Sequence, residues 1–142
     1  EQNKCADIAP IYGCGSCLYP QMDEIGMQKV LGDEKEIHQR VYLFPTSAIL
    51  EQGKKIPYCD YSSSLKNEDC NQALQRIADR IDMDLLYALV EEAPFITELQ
   101  KDFYRIMLSE RKAKILDYSM ELFLGHEITQ KERQDPYQLQ LL

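Results

Sequence analysis

The chain has 142 residues, a formal net charge of −8, and 44% hydrophobic and 28% charged residues. That is one domain's worth of polypeptide with apolar side chains enough for an ordinary core, which excludes an intrinsically disordered chain. The acidity is spread, 11 acids against 7 bases in residues 1–69 and 13 against 9 in residues 70–142; a nucleic-acid partner is disfavoured, because phosphate binding needs a basic footprint.

The first residue is Glu1 rather than Met. The chain therefore reads as a processed or truncated product, and removal of a signal peptide before Glu1 is one expectation. Cys5 is not the first residue, so a lipid-anchored N-terminus is not supported. Residues 1–20 read as an irregular arm. From Gln21 to Leu31, the spacing of Met22, Ile25, Val30 and Leu31 predicts a helix, with Gly32 as its stop. Residues 34–44 fit a helix through Ile37, Val41 and Phe44, or a short buried strand over Val41–Phe44, ended in either case by Pro45. Residues 47–59 read as a short helix ending at Gly53 and then a loop, with a hairpin around Gln52–Gly53 as the alternative.

The second half is more regular. Asn67 is an expected N-cap, with Glu68 and Asp69 in the first turn, where the helix dipole favours acids. Ala73, Leu74, Ile77, Ala78, Ile81, Leu85, Ala88 and Leu89 then form one apolar stripe, predicting a single helix to about Glu92. Its longest apolar run, Leu85–Val90, falls far short of the roughly 18 residues that cross a bilayer, so no transmembrane segment is expected. Pro94 is expected in the first turn of a second long helix, whose stripe runs from Ile96 to Phe123 and whose cap is Gly125, with a bend near Ser109. Thr129 to Glu132, "TQKE", matches a capping box for a short last helix. The fold expected is all-α or mainly α. It is one domain over 1–142, with a loop-rich, cysteine-containing part (1–66) and an antiparallel hairpin or small bundle of long amphipathic helices (67–142).

All five cysteines, Cys5, Cys14, Cys17, Cys59 and Cys70, lie in the first half of the chain, and none follows Cys70. Small oxidised domains concentrate cysteines where regular structure is sparse, so these read as staples, with Cys59–Cys70 closing a polar loop. An odd count leaves one thiol free or bridging to another chain as a homodimer. The staples in turn imply a periplasmic or secreted protein. Cys14-Gly-Ser-Cys17 also has the spacing of a redox couple, but the thirteen residues before it are too few and irregular for the usual strand–helix setting. A zinc site would need a second close pair, which Cys59 and Cys70 do not form, and no metal or other cofactor is expected.

No phosphate loop, dinucleotide fingerprint or zinc-protease motif occurs. His38 and His126 read as surface residues. Asp79 and Asp82 share a helix face but fall on its polar side, and Asp84 has apolar neighbours and Arg80 close in sequence. The basic cluster Arg105, Arg111, Lys112 and Lys114 reads as a solvated face laced with ion pairs. Tyr12, Tyr19, Tyr42, Tyr58 and Tyr61 crowd the loop-rich half, either as core cover or as contact residues for a protein partner. Together these features point to a non-catalytic, immunity-like or secretion-accessory interaction protein of an extracytoplasmic compartment. Its partner would be another protein, of basic character. The alternative is a thiol–disulfide redox protein using Cys14 and Cys17.

Overall fold

The computed structural model describes residues 17–44 and 46–134. These form a mainly α-helical molecule: α1 (Glu24–Leu31), α2 (Glu34–Tyr42), strands β1 (Leu50–Glu51) and β2 (Lys54–Lys55), α3 (Tyr58–Ser63), α4 (Glu68–Ala78), α5 (Met83–Glu92), α6 (Glu98–Arg111), a π-helical segment (Lys112–Asp117) and α7 (Tyr118–Gln134). Among the described residues no helix is long and apolar enough to cross a membrane.

The helix starts follow from capping chemistry. Asp23, Asp33, Asn67, Asp82 and Thr97 each stand in extended backbone, and each side chain accepts a hydrogen bond from an otherwise orphaned N–H of the first turn. Gly32 closes α1 and Asn67 opens α4, both as the sequence predicts. Residues 34–42 are helix, which resolves that ambiguity against the strand. The short helix expected before Gly53 is instead an antiparallel hairpin, Leu50 opposite Lys55 and Glu51 opposite Lys54. Gln52 (φ 51°) and Gly53 (φ 78°) both adopt the left-handed backbone that a tight two-residue turn requires.

Three further expectations are corrected. The stripe over 73–89 is not one rod: the chain breaks at Asp79–Asp82, and Asp82 caps a new helix by accepting from Leu85 N (3.0 Å). Pro94 does not begin the next helix. That helix starts at Glu98 behind a reciprocal capping box, in which Thr97 and Gln100 each bond the other's backbone N–H. Gly125 is not a terminal cap either, since α7 continues to Gln134 and carries Thr129–Glu132 inside it.

The segment from Glu98 to Gln134 is the spine, and two groups of helices pack along it. On the first half, α1, α2 and α5 contact α6. Met27 and Val30 of α1 and Phe103 and Met107 of α6 form a core shut off from water, bordered by Leu18, Tyr19, Met22, Leu31, Ile37, Tyr104 and Ile106. Thr97 Oγ1 donates to Glu24 Oε1 at 2.5 Å and so ties the start of α6 to the first turn of α1. On the second half, α3 and α4 pack against the π segment and α7. There Cys59, Asn71, Leu74, Ala78 and Ser119 are buried, and Ser119 Oγ hydrogen-bonds Ser62 Oγ (3.2 Å).

Cys17, Cys59 and Cys70 are free thiols, so the disulfide-stapled front end is corrected too. The residues between Cys59 and Cys70 are not a polar loop needing closure. They are α3, a turn, and the capped start of α4, with Asn71 Nδ2 donating to Leu65 O (2.9 Å) to brace the turn. Cys59 is buried against the π segment while Cys70 is exposed. Cys5 and Cys14 lie outside the described residues. With the staples goes the ground for a signal peptide and a periplasmic or secreted setting.

Burial separates the two kinds of apolar residue. Phe103→Ala should cost about 3–5 kcal/mol of unfolding free energy, because it empties a sealed core. Leu89→Ala, at 57% exposure, should change it by less than about 0.5 kcal/mol. Thr97→Ala should cost about 1 kcal/mol through the lost cap. Urea unfolding followed by circular dichroism checks all three.

Candidate functional site

Arg111 is the last residue of α6, at the point where the helix turns from α to π geometry. Its guanidinium donates to Cys17 O (2.6 Å), Arg40 O (3.0 Å), Phe44 O (3.3 Å) and Tyr19 OH (3.2 Å). Two of those acceptors are carbonyls at the end of α2, which no further helical turn satisfies and where the helix dipole is negative. One planar fork therefore joins the arm at residues 17–19, the end of α2 and the spine.

Tyr19 sits inside this clasp. Its hydroxyl donates to Phe44 O (2.7 Å), and its ring lies edge-on to Phe103 with centroids 6.2 Å apart. The guanidinium groups of Arg111 and Arg40 stand 5.5 and 5.7 Å from its centroid. Its φ of 54° is in the left-handed region, which a bulky side chain occupies at a cost that these contacts offset. Burial raises the Tyr19 pKa above its ordinary value, against the opposing pull of Arg111 and Arg40.

The π segment has its own sequence logic. Residues five apart on an α-helix point about 140° away from each other. The wider π turn brings them together, and Lys112 Nζ meets Asp117 Oδ1 at 2.7 Å. Cys59 Sγ contacts Lys114 O (3.9 Å) from the other side, and burial pushes its thiol pKa up, with Asp60 adding to the effect.

Between α2 and the start of the π segment lies a groove of about 380 Å³ lined by Glu34, Ile37, His38, Glu110 and Lys114. A shallower hollow of about 570 Å³, lined by Glu34, Lys35, His38, Gln39 and Leu43, adjoins it. His38 packs against Tyr42 with the rings tilted by 47° and their centroids 4.6 Å apart. Lys114 pairs with Glu110, and that contact raises the lysine's pKa. Glu110 Oε2 is closed to water and has no well-aligned hydrogen bond, so the neighbouring ammonium is what compensates its charge. Among the described residues no group of three or more His, Cys, Asp or Glu is placed to hold a metal ion.

The residues singled out from the sequence scatter over the molecule. Tyr19 is central to the clasp, and Tyr42 packs against His38 of the groove. Tyr58 is exposed, Tyr61 OH accepts from Asn67 Nδ2 (3.0 Å), and Tyr12 lies outside the described residues. The pair Cys14/Cys17 has only Cys17 within them. Asp79 and Asp84 are exposed and Asp82 is a cap. His126 is an exposed residue within α7. The basic cluster is laced with ion pairs as expected at Arg105, Lys112 and Lys114. Arg111 is the exception, and its role was hidden because its acceptors are mostly main-chain carbonyls 67 to 94 residues away in sequence.

No family model matches the sequence. The chain is 45% identical over 125 residues to a curated protein of Helicobacter pylori, "Serine/threonine-protein kinase CtkA". That match covers 84% of this chain and 38% of the relative. The crystal structure of the H. pylori proinflammatory kinase CtkA superposes with a TM-score of 0.75 at 44% identity, over 82% of this chain and 42% of that one. The chain thus spans well under half the length of the relative it matches. This likeness overturns the reading as a non-catalytic extracytoplasmic interaction protein, and equally the Cys14/Cys17 redox alternative: in sequence and backbone the chain is similar to part of a protein named a kinase. Cysteine placement misled because it reports where thiols lie along the chain and not how far apart they stand in space.

Three measurements test the clasp and the burial of Cys59 beside it. Arg111→Ala should lower stability by about 2–3 kcal/mol, and Tyr19→Phe by about 1 kcal/mol. A tyrosine whose folded pKa is raised contributes stability that is intact below its unfolded pKa and lost as pH climbs past about 10; Tyr19→Phe should remove that part of the alkaline loss in urea titrations run across pH. Under native alkylation with peptide mass mapping, Cys59 should react far more slowly than Cys17 and Cys70.

Proposed function

We propose that this chain is the helical supporting part of a serine/threonine-kinase-type protein. The reaction class is transfer of a phosphoryl group from a nucleoside triphosphate to a protein hydroxyl. One observation carries the reading: 45% identity over 125 residues to a protein named a serine/threonine kinase, joined to a matching backbone. Phosphoryl transfer depends mainly on positioning and electrostatic stabilisation, so a rigid helical support is a mechanistic contribution in its own right.

In this reading the Arg111 clasp is the positioning device. It fixes the Cys17–Tyr19 segment relative to the spine and to the end of α2. Arg111 is a positioning residue here, acting through main-chain carbonyls.

The test is a chimera of H. pylori CtkA in which this chain replaces the matched segment. It should phosphorylate serine or threonine in a generic protein acceptor. Arg111→Ala in the chimera should lower the turnover number by on the order of a hundredfold, while Arg111→Lys recovers part of it. A folded chimera with no transfer, checked by circular dichroism, would remove the proposal.

A further inference from the structure

α5 is apolar on both sides. Met83, Leu86, Tyr87 and Val90 are half-buried and turn toward the bundle, where α5 packs on α6. Leu85, Ala88 and Leu89, at i, i+3 and i+4, share the opposite face and stand in water. Leu85 is 56% and Leu89 57% exposed, and no residue of the helix is fully buried. Phe95 follows three residues beyond the helix, wholly exposed at 103% and with a φ of 66°. A phenylalanine held in left-handed backbone and pushed into solvent bears two costs, and no contact among the described residues offsets either. Apolar residues at this spacing, ending in an exposed aromatic, have the form of a helix face that seats in a partner's groove.

The charges of α5 and the turn before it say what kind of partner. Asp79, Asp82, Asp84 and Glu92 stand against Arg80, and none of these five is in an ion pair among the described residues. Glu91 is spent on Lys101 and Arg105 of α6. Two copies pairing through this face would bring acidic borders together, which disfavours self-association. The curated relative has 62% of its length outside the match, so ample polypeptide exists in such a protein to cover the face.

We propose that the Leu85/Leu89/Phe95 face is an internal docking surface. Its occupant is the part of a CtkA-like kinase polypeptide outside the matched segment, meeting it with an apolar surface bordered by lysine and arginine. The proposal rests on the kinase reading above and extends it to a specific contact.

Hydroxyl-radical footprinting of the isolated chain and of the chimera tests it. Labelling of Leu89 and Phe95 should fall several-fold in the chimera. The triple variant Leu85→Gln, Leu89→Gln, Phe95→Ser should leave the melting temperature of the isolated chain unchanged and lower that of the chimera; Leu89→Gln alone should do the same to a smaller degree. Equal labelling of the two proteins would overturn the proposal. So would a concentration-dependent dimer of the isolated chain that protects the same residues, since the occupant would then be a second copy. Native H. pylori CtkA provides an arm independent of the chimera's folding: heavy labelling at its aligned positions also refutes the contact. Protection without phosphoryl transfer would strike the kinase reading alone, and transfer without protection would strike the docking surface alone.

Discussion

Everything described here hangs on the helix that runs from Glu98 to Gln134. It is the element shared by both packing layers, α1, α2 and α5 on one half and α3 and α4 on the other. A straight α-helix keeps one apolar stripe on one side. The π turn at Lys112–Asp117 inserts a wider loop of backbone between the Phe103/Met107 seam and the Ser119 seam, so that one helix serves two layers. Cys59, facing Lys114 O, packs from α3 against the turn itself.

The clasp at Arg111 follows from the same geometry. The end of α2 delivers unsatisfied carbonyls and a negative dipole end, and the spine delivers a guanidinium at the last α-helical position before the π turn. Multiple acceptors on one rigid fork fix an orientation in a way that a single surface ion pair does not. The neighbouring bases instead pair with carboxylates: Lys112 and Lys114 with acids within five residues on the spine, and Arg105 with Asp102 and with Glu91 of α5. The apolar face of α5 is the counterpart of this economy. Residues that would be core in a self-sufficient bundle are left in water, and the chain spans only part of a longer relative.

Local chemistry was legible where it was local. Asn67, Gly32 and the acids of the first helical turns act within four residues of themselves, and the helices start and stop there. The Gln52–Gly53 hairpin was visible as an alternative and won because both residues tolerate the left-handed backbone of the turn. The break at Asp79–Asp82 was not legible, because the stripe crosses it without interruption and the decision rests on Asp82 finding Leu85 N. The Thr97–Gln100 box was overlooked in favour of Thr129–Glu132, since a capping pattern is realised only where the chain enters a helix and not where it runs through one.

By itself the amino-acid sequence determined the class: a mainly helical, acidic chain with no apolar run long enough to cross a bilayer, because period, caps and charge are properties of neighbouring residues. Only the tertiary structure decided which apolar residues are core and which are surface, which basic residue is a clasp, and that the described thiols are unpaired. The physical reason is distance. Burial, carbonyl capping and sulfur bonding depend on atoms that the chain brings together from dozens of residues apart, and no spacing along the sequence encodes that approach.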